Sequence, residues 1–324
     1  MIKVSIITPA YNQAAFIEET INSVLSQDYP NIEYIVLDDG SNDGTQEIVK
    51  QYTNRLLCIR HDNMGESKTV NKGYHLCSGD VIGVINSDDP LFRKDAISRI
   101  VECFQNNPSA LAVYPDWVSI DQVGNVLDRL LLPEYSINNM LEDFNVALGP
   151  GMFIKRNALQ MVGYRNESLR YTGDLDLSFR LAIAGSLAHI PELLATHRVH
   201  PNAASSTFQG DLMAEEVLRL AKVSLASSLL PSSILQKKQV ILANAHFIAS
   251  SYCGNKKSLQ WKYFGQSLLL DPTVISKFYY KKITNFINMN KAIFAEYTFL
   301  IVKSLRSSIP PEFKTILRMI RKKI

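Results

Sequence analysis

The sequence predicts an α/β domain built on a mostly parallel sheet with helices on both faces, followed by an all-helical C-terminal region. Three observations carry this reading. Over roughly the first hundred residues, short β-branched apolar runs alternate with segments of helical period, and a βαβαβαβα order implies parallel strands covered on both sides. The polar clusters fall just after the strands, at the edge where sheets of this kind take ligands. Beyond Asp211, strand signals stop and long apolar-periodic stretches take over.

Each element follows from local pattern. Val4–Thr8 (VSIIT) is a buried strand, short and β-branched. Ala15–Gln27 carries Phe16, Ile17, Ile21, Val24 and Leu25 at helical spacing, and Pro30 closes it. Ile32–Leu37 is a second strand, followed by the turn-rich DDGSNDGT. A helix over Thr45–Tyr52, a strand over Leu56–Ile59, a helix over Glu66–Cys77 and a strand over Val81–Ile85 come next. Ala96, Ile97, Ile100, Val101 and Phe104 mark a further helix. Residues 111–200 continue as mixed sheet and helix, with a helix over Asp174–Ile183. The boundary falls near 205–212, in ASSTFQGD. It gives a first domain over 1–208 and a basic helical region over 209–324.

Composition narrows the class. With 324 residues and 46% apolar content the chain can bury a sizeable core, and 20% charged residues suit a soluble protein. The cysteines Cys58, Cys77, Cys103 and Cys253 form no C-x-x-C pair and no zinc spacing, and are read as reduced core residues of a cytoplasmic protein. There is no signal-peptide pattern at the N-terminus and no apolar run of membrane-spanning length. The first strand–helix turn reads TPAYNQAA. It lacks the G-x-G-x-x-G of a nicotinamide dehydrogenase, and no G-x-x-x-x-G-K-[ST] occurs anywhere. A sugar-nucleotide pyrophosphorylase is also disfavoured, for want of a Gly-rich basic first loop.

The polar clusters carry the functional signal. They are Thr8-Pro9-Ala10-Tyr11-Asn12, Asp38-Asp39-Gly40-Ser41-Asn42-Asp43-Gly44-Thr45 and Asn86-Ser87-Asp88-Asp89. Two adjacent carboxylates against a buried strand repel each other, which turn chemistry alone does not explain. Asp39-x-Ser41-x-Asp43-Gly44 copies the start of a calcium loop, but Lys50 stands where the bidentate Glu belongs. With Asn63-x-Gly65, Asn71-x-Gly73, Gly79-Asp80 and Gly173-Asp174-x-Asp176-Leu177-x-x-Arg180, the ordered set resembles the inverting family 2 glycosyltransferases of GT-A fold over roughly residues 1–205.

That resemblance implies roles. Asp39 would accept a hydrogen bond from a nucleobase on which Tyr11 stacks, with Thr8 and Pro9 lining the same pocket. Asp38 would serve there too, as a second base contact or otherwise as a ribose contact or a turn residue. Asn86-Ser87-Asp88 corresponds to the family's D-x-D element. Asp88 matches the carboxylate that holds a divalent ion (Mn²⁺ or Mg²⁺), and Asn86 replaces the commoner Asp as a ribose or metal-water contact. Asp174 matches the general base, with Asp176 and Arg180 as an ion pair one helical turn apart. In His197-Arg198-Val199-His200, strand alternation puts Arg198 and His200 on one face, and His200 is a candidate for the metal or diphosphate. His61, His75, His189 and His246 read as structural, and Gly149-Pro150-Gly151 as a turn that could shape an acceptor loop.

The implied activity is transfer of a sugar from a nucleotide-diphosphate sugar, UDP- or dTDP-linked in preference, to a hydroxyl on a glycan or lipid-linked glycan during surface polysaccharide synthesis. The competing reading is a non-catalytic sugar-nucleotide-binding or scaffold protein of the same fold. Charge adds one expectation. Residues 255–324 hold 14 Lys and Arg against 3 Asp and Glu. This local +11 leaves −8 elsewhere within a net +3, and aromatic residues are interleaved with the basic ones. Peripheral docking to an anionic membrane on its inner face fits that pattern. Nothing else in the sequence supports nucleic acid as a partner.

Overall fold

The computed structural model describes residues 1–142, 149–201, 203, 210–253 and 256–274. They form two compact units, Met1–Gln209 with Lys222–Leu235, and Gly210–Ala221 with the chain from Gln236 on. The expected boundary segment and most of the basic, aromatic tail lie outside the described residues.

In the first unit, strands β1 (Val4–Ala10), β2 (Ile32–Asp38), β3 (Leu57–Arg60) and β4 (Val81–Val84) alternate with helices α1 (Ile17–Leu25), α2 (Thr45–Lys50), α3 (Glu66–Leu76) and α4 (Ala96–Asn106). They pair in parallel in the order β3-β2-β1-β4. Period-two alternation assigns the faces. Val4 and Ile6 of β1, with Tyr34 and Val36 of β2, join Ile21 of α1, Val49 of α2 and Ile97 of α4 in one core. Ile7 and Leu37 point the other way, against α3. Gly73 is required there, because a Cβ would sit 2.7 Å from Ile7 Cγ2. Helices therefore cover both faces, as the pattern predicts.

The second half of the sheet is mixed. Strands β5 (Ala112–Ile120), β6 (Val126–Leu130), β7 (Phe153–Lys155) and β8 (Leu187–Arg198) complete an eight-stranded sheet. β7 runs antiparallel between β4 and β5, β6 antiparallel on β5, and β8 parallel to β5. Helices α5 (Ile137–Glu142), α6 (Arg156–Val162) and α7 (Gly173–Ala184) fill the connections.

Past residue 209 every described element is a helix: α8 (Gly210–Leu225), α9 (Ser232–Leu235), α10 (Lys238–Tyr252) and α11 (Lys257–Leu270). In the second unit α10 and α11 pack antiparallel. Ser267 donates to the Ala243 carbonyl at 2.7 Å, and the Phe247 and Phe264 rings lie 6.2 Å apart. Among the described residues no helix is long and apolar enough to cross a membrane. The four cysteines are free thiols; Cys77 and Cys253 are buried, Cys58 and Cys103 half-buried.

Candidate functional site

The loops after β1 and β2 are laced together. Asn12 takes the left-handed region (φ 54°), where a non-glycine residue is unusual and Asn is among the most tolerant. From there its N–H donates to Ser41 Oγ at 2.9 Å, and its side-chain oxygen accepts from the Asn42 N–H at 2.9 Å. The Gln13 N–H donates to Thr45 Oγ1, and the Ala14 N–H to Asp43 Oδ2. Asp43 also accepts from the Thr45 N–H and hydroxyl. Burial opposes ionisation of Asp43, but these hydrogen bonds outweigh it and hold its carboxyl below the usual range. The DDGSNDGT turn is thus an interlock whose polar groups are largely spent on structure. Tyr11 at its rim stays 48% exposed.

The two adjacent carboxylates divide their work. Asp38 has no exposed surface: one oxygen accepts from the Ser41 N–H at 2.9 Å, and the other lies 3.8 Å from Arg60 Nε. Asp39 sits before the N-terminus of α3, where the Met64 and Gly65 N–H groups donate to its two oxygens at 2.7 and 3.0 Å. The positive end of the helix favours a carboxylate there. Its side chain keeps a narrow 5% opening, with His61 Nδ1 at 3.3 Å. A carboxylate has about four acceptor positions, so two backbone donors do not exhaust it.

The structure places three of the expected nucleotide-side residues as follows. Thr8 is wholly buried and its hydroxyl meets Tyr34 Oη at 3.1 Å; Pro9 is buried in β1 beside Leu37. With Asp38, these residues lie buried beneath the interlocked loops after β1 and β2. The reason is the sheet itself, since β1 and β2 extend to Ala10 and Asp38 and bury what the motif would expose.

The segment after β4 forms a second centre. The exposed Asn86 side-chain amide donates to Asp89 Oδ2 at 3.0 Å, and Asp89 Oδ1 accepts the Arg198 N–H at 2.7 Å. Asp89 is therefore spent on structure. Asp88 is only 15% exposed at its side chain, and its Oδ2 lies 2.9 Å from His200 Nε2. Burial and the neighbouring Asp89 push the Asp88 carboxyl up; His200 pulls it back. His200 reaches this position because alternation along β8 turns Arg198 and His200 inward while Val199 is exposed. The start of α1 packs on this second centre: the Phe16 ring just before it lies 4.6 Å from His200, and Thr20 Oγ1 donates to the Ser87 carbonyl at 3.0 Å.

Asp88 and His200 suit a divalent ion. Neighbouring ligands on a six-coordinate ion with bonds of about 2.1 Å lie roughly 3 Å apart, close to the observed 2.9 Å. Carboxylate and imidazole are both accepted by Mn²⁺-like ions. Among the described residues no three His, Cys, Asp or Glu side chains converge as a metal cage. An ion here would complete its shell with water and ligand phosphate.

Asp174 begins α7, solvent-accessible at its first turn. Protein packed around the carboxyl pushes its pKa up; Arg165 opposes the shift, and Glu66 adds to it. Arg165 is bound to Glu66 at 2.7 Å, and Gly173 lies against Ser67, so α7 starts beside the first turn of α3. The residues just before that turn hold Asp39. Asp176 and Arg180 form the expected pair, with Nε–Oδ2 at 2.8 Å; Arg180 also donates to the carbonyls of Val162, Gly163 and Tyr164 that close α6. Gly149-Pro150-Gly151 packs on Trp117 and Pro115, while residues 143–148 of that loop lie outside the described chain.

Sequence reasoning undervalued Arg198. It is wholly buried, and its guanidinium joins Asp88, Asp121, Gln122 and Glu19. The available signal was its shared strand face with His200. A cleft of about 460 Å³ lined by Glu19, Asn22, Arg55, Pro90 and Phe92 contains none of the predicted site residues.

The chain is similar to known glycosyltransferases in sequence and in fold. A glycosyltransferase of Rickettsia prowazekii is 28% identical over 295 residues, covering 88% of this chain and 90% of the relative. Glycosyltransferase TuaG of Bacillus subtilis, named for teichuronic acid biosynthesis, is 30% identical over 209 residues, covering 63% of this chain and 81% of the relative. In fold, TarS 1–349 of S. aureus in complex with UDP-GlcNAc superposes with a TM-score of 0.66 at 21% identity, over 83% of this chain and 81% of that one. The profile of glycosyl transferase family 2 matches residues 5–163. The chain belongs to glycosyl transferase family 2.

Proposed function

We propose that the chain transfers a sugar from a UDP- or dTDP-sugar to a hydroxyl acceptor, with inversion at the anomeric carbon, in the synthesis of a surface polysaccharide. The observation that carries this reading is the placement of two acidic centres at the carboxyl ends of neighbouring parallel strands, Tyr11 and Asp39 after β1 and β2 and the Asp88–His200 pair after β4. That edge is where a sheet of this kind takes its ligand. The biosynthetic context is carried over from TuaG.

In this reading Tyr11 stacks on the base and Asp39 accepts its N–H through the narrow opening it keeps. Asn86, already donating to Asp89, presents its remaining amide capacity to the ribose. Asp88 and His200 hold a Mn²⁺ or Mg²⁺ ion, which when bound supplies positive charge to the departing diphosphate. Asp174 takes the proton of the acceptor hydroxyl as that oxygen attacks the anomeric carbon. The nucleoside diphosphate leaves from the opposite side, so a single displacement inverts configuration. Residues 1–208 are the catalytic domain. The basic region beyond it docks the protein to an anionic membrane from the cytoplasmic side. Sedimentation of the full chain with phosphatidylglycerol vesicles, and its release by salt, tests that part.

The central test is incubation with UDP-, dTDP- and GDP-sugars, with Mn²⁺ or with chelator. The expected result is slow release of UDP or dTDP, stimulated by metal, and a sugar of inverted configuration by NMR. A retained configuration would reject the mechanism, and no turnover of any donor would reject catalysis.

A further inference from the structure

Arg198 heads the fully buried side chains of the described residues by volume. Burying a guanidinium is costly unless its donors are met by acceptors. Here Nε donates to the Asp88 carbonyl at 2.9 Å, Nη1 to the carbonyls of Asp121 and Gln122 at 3.1 and 3.0 Å, and Nη2 to Glu19 Oε2 at 2.6 Å. The Phe16 ring lies 5.0 Å from the guanidinium carbon. The main-chain N–H of the same residue holds Asp89.

One side chain therefore ties α1, the segment after β4 and the turn after β5. A fork of fixed geometry does this where a single flexible ammonium cannot. Two residues further on, His200 meets Asp88. Arg198 thus grips Asp88 by its main chain and delivers the imidazole to its side chain.

We propose that Arg198 is a positioning residue for the transfer reaction, setting Asp88 against His200 at the diphosphate end of the donor. The proposal rests on the reading of Asp88 given above. Arg198 touches no substrate; it acts through Asp88. A residue that only filled space would be replaceable by an apolar side chain of similar volume. Such a replacement would leave the carbonyls of Asp88, Asp121 and Gln122 unmet and free the segment after β4.

The test uses the full chain as wild type, Arg198→Lys and Glu19→Gln. Glu19 is half-exposed (54% at the side chain), so its variant folds even if the lysine variant does not. Two measurements are made: amide exchange over residues 86–90, and binding of UDP and of uridine in Mn²⁺. Exchange should rise over 86–90 in both variants while β1 and β2 stay protected. The gain of UDP over uridine should shrink, more for Arg198→Lys than for Glu19→Gln, with uridine binding unchanged. Donor turnover should fall by about 10²-fold in Arg198→Lys, the scale of a misplacement near 1 Å. Wild-type exchange and an unchanged UDP gain in a folded variant would overturn the proposal, as would equal losses of UDP and uridine. A wild-type chain with no gain of UDP over uridine would refute the diphosphate reading instead. The exchange arm keeps that result separate, since a loosened 86–90 segment would still uphold the hold of Arg198 on Asp88.

Discussion

The two ends of the parallel strands carry similar residues and treat them differently. At the amino ends, Glu33 accepts from Ser5 Oγ, the Ser78 N–H and hydroxyl, and Lys3 Nζ at 2.5–3.0 Å. Asp80 accepts the Lys3 N–H, and Arg156 donates twice to the Gly79 carbonyl. At the carboxyl ends, Asp88 has one imidazole and an adjacent carboxylate, and Asp174 has its own helix turn and a nearby Arg165. The acid–base consequences run in opposite directions. Partial burial pushes the Glu33 carboxyl up, but its hydrogen bonds outweigh this and bring it down to about 2. For Asp88 burial wins, and for Asp174, accessible at its helix start, the protein packed around the carboxyl outweighs Arg165, so both carboxyls are raised. Saturated acids hold the sheet together; under-supplied acids remain ready for a cation or a proton.

The comparison breaks most visibly at Asp174. Asp174→Asn keeps shape and hydrogen bonding but cannot take a proton, so turnover should fall by about 10²–10⁴-fold with donor affinity and thermal midpoint near wild type. The raised carboxyl adds a sign. A base works only when deprotonated, so the acid limb of kcat/KM should lie above the ordinary aspartate value of about 3.9. An active Asn variant, or an acid limb at or below that value, would remove Asp174 from this role.

Glu33 sharpens the other end. Glu33→Gln should leave turnover intact and lower stability by about 1–3 kcal/mol, the cost of leaving several donors poorly met. Because the folded carboxyl lies below its ordinary 4.5, its contribution is complete above that value and lost as pH falls toward about 2. Denaturation of the two proteins at neutral pH and near pH 2 checks this: the difference should vanish in acid. A Glu33 variant that loses activity at full stability would dissolve the contrast between the two ends.

Much of this was legible in the sequence because it is local. The runs VSIIT and IEYIVL gave strands by period and branching, and TPAYN, DDGSNDG and NSDD stand at strand ends where a parallel sheet takes ligands. Asp176 and Arg180 pair four residues apart on one helix. Other features depend on contacts that no local pattern carries. How Asp39 is held apart from Asp38 is decided by the Met64 and Gly65 N–H groups, 25 and 26 residues away. The burial of Thr8 follows from β1 running on to Ala10, two residues past the VSIIT run. β7 has three residues, too few for a period, and it runs antiparallel between β4 and β5. The reach of Arg198 to Glu19 spans 179 residues.

The central claim, that the carboxyl-end acids serve a nucleoside diphosphate, is tested most directly by titrating UDP into wild type and Asp88→Ala, each in Mn²⁺ and in chelator, with uridine as control. The Asp88 carboxylate meets the His200 ring and keeps 15% of its side chain exposed, so the variant should fold. The account predicts that wild type binds UDP more tightly than uridine only when metal is present, and that Asp88→Ala loses this gain while binding uridine as before. Equal UDP binding by both proteins, or a wild-type gain that survives chelation, would contradict it.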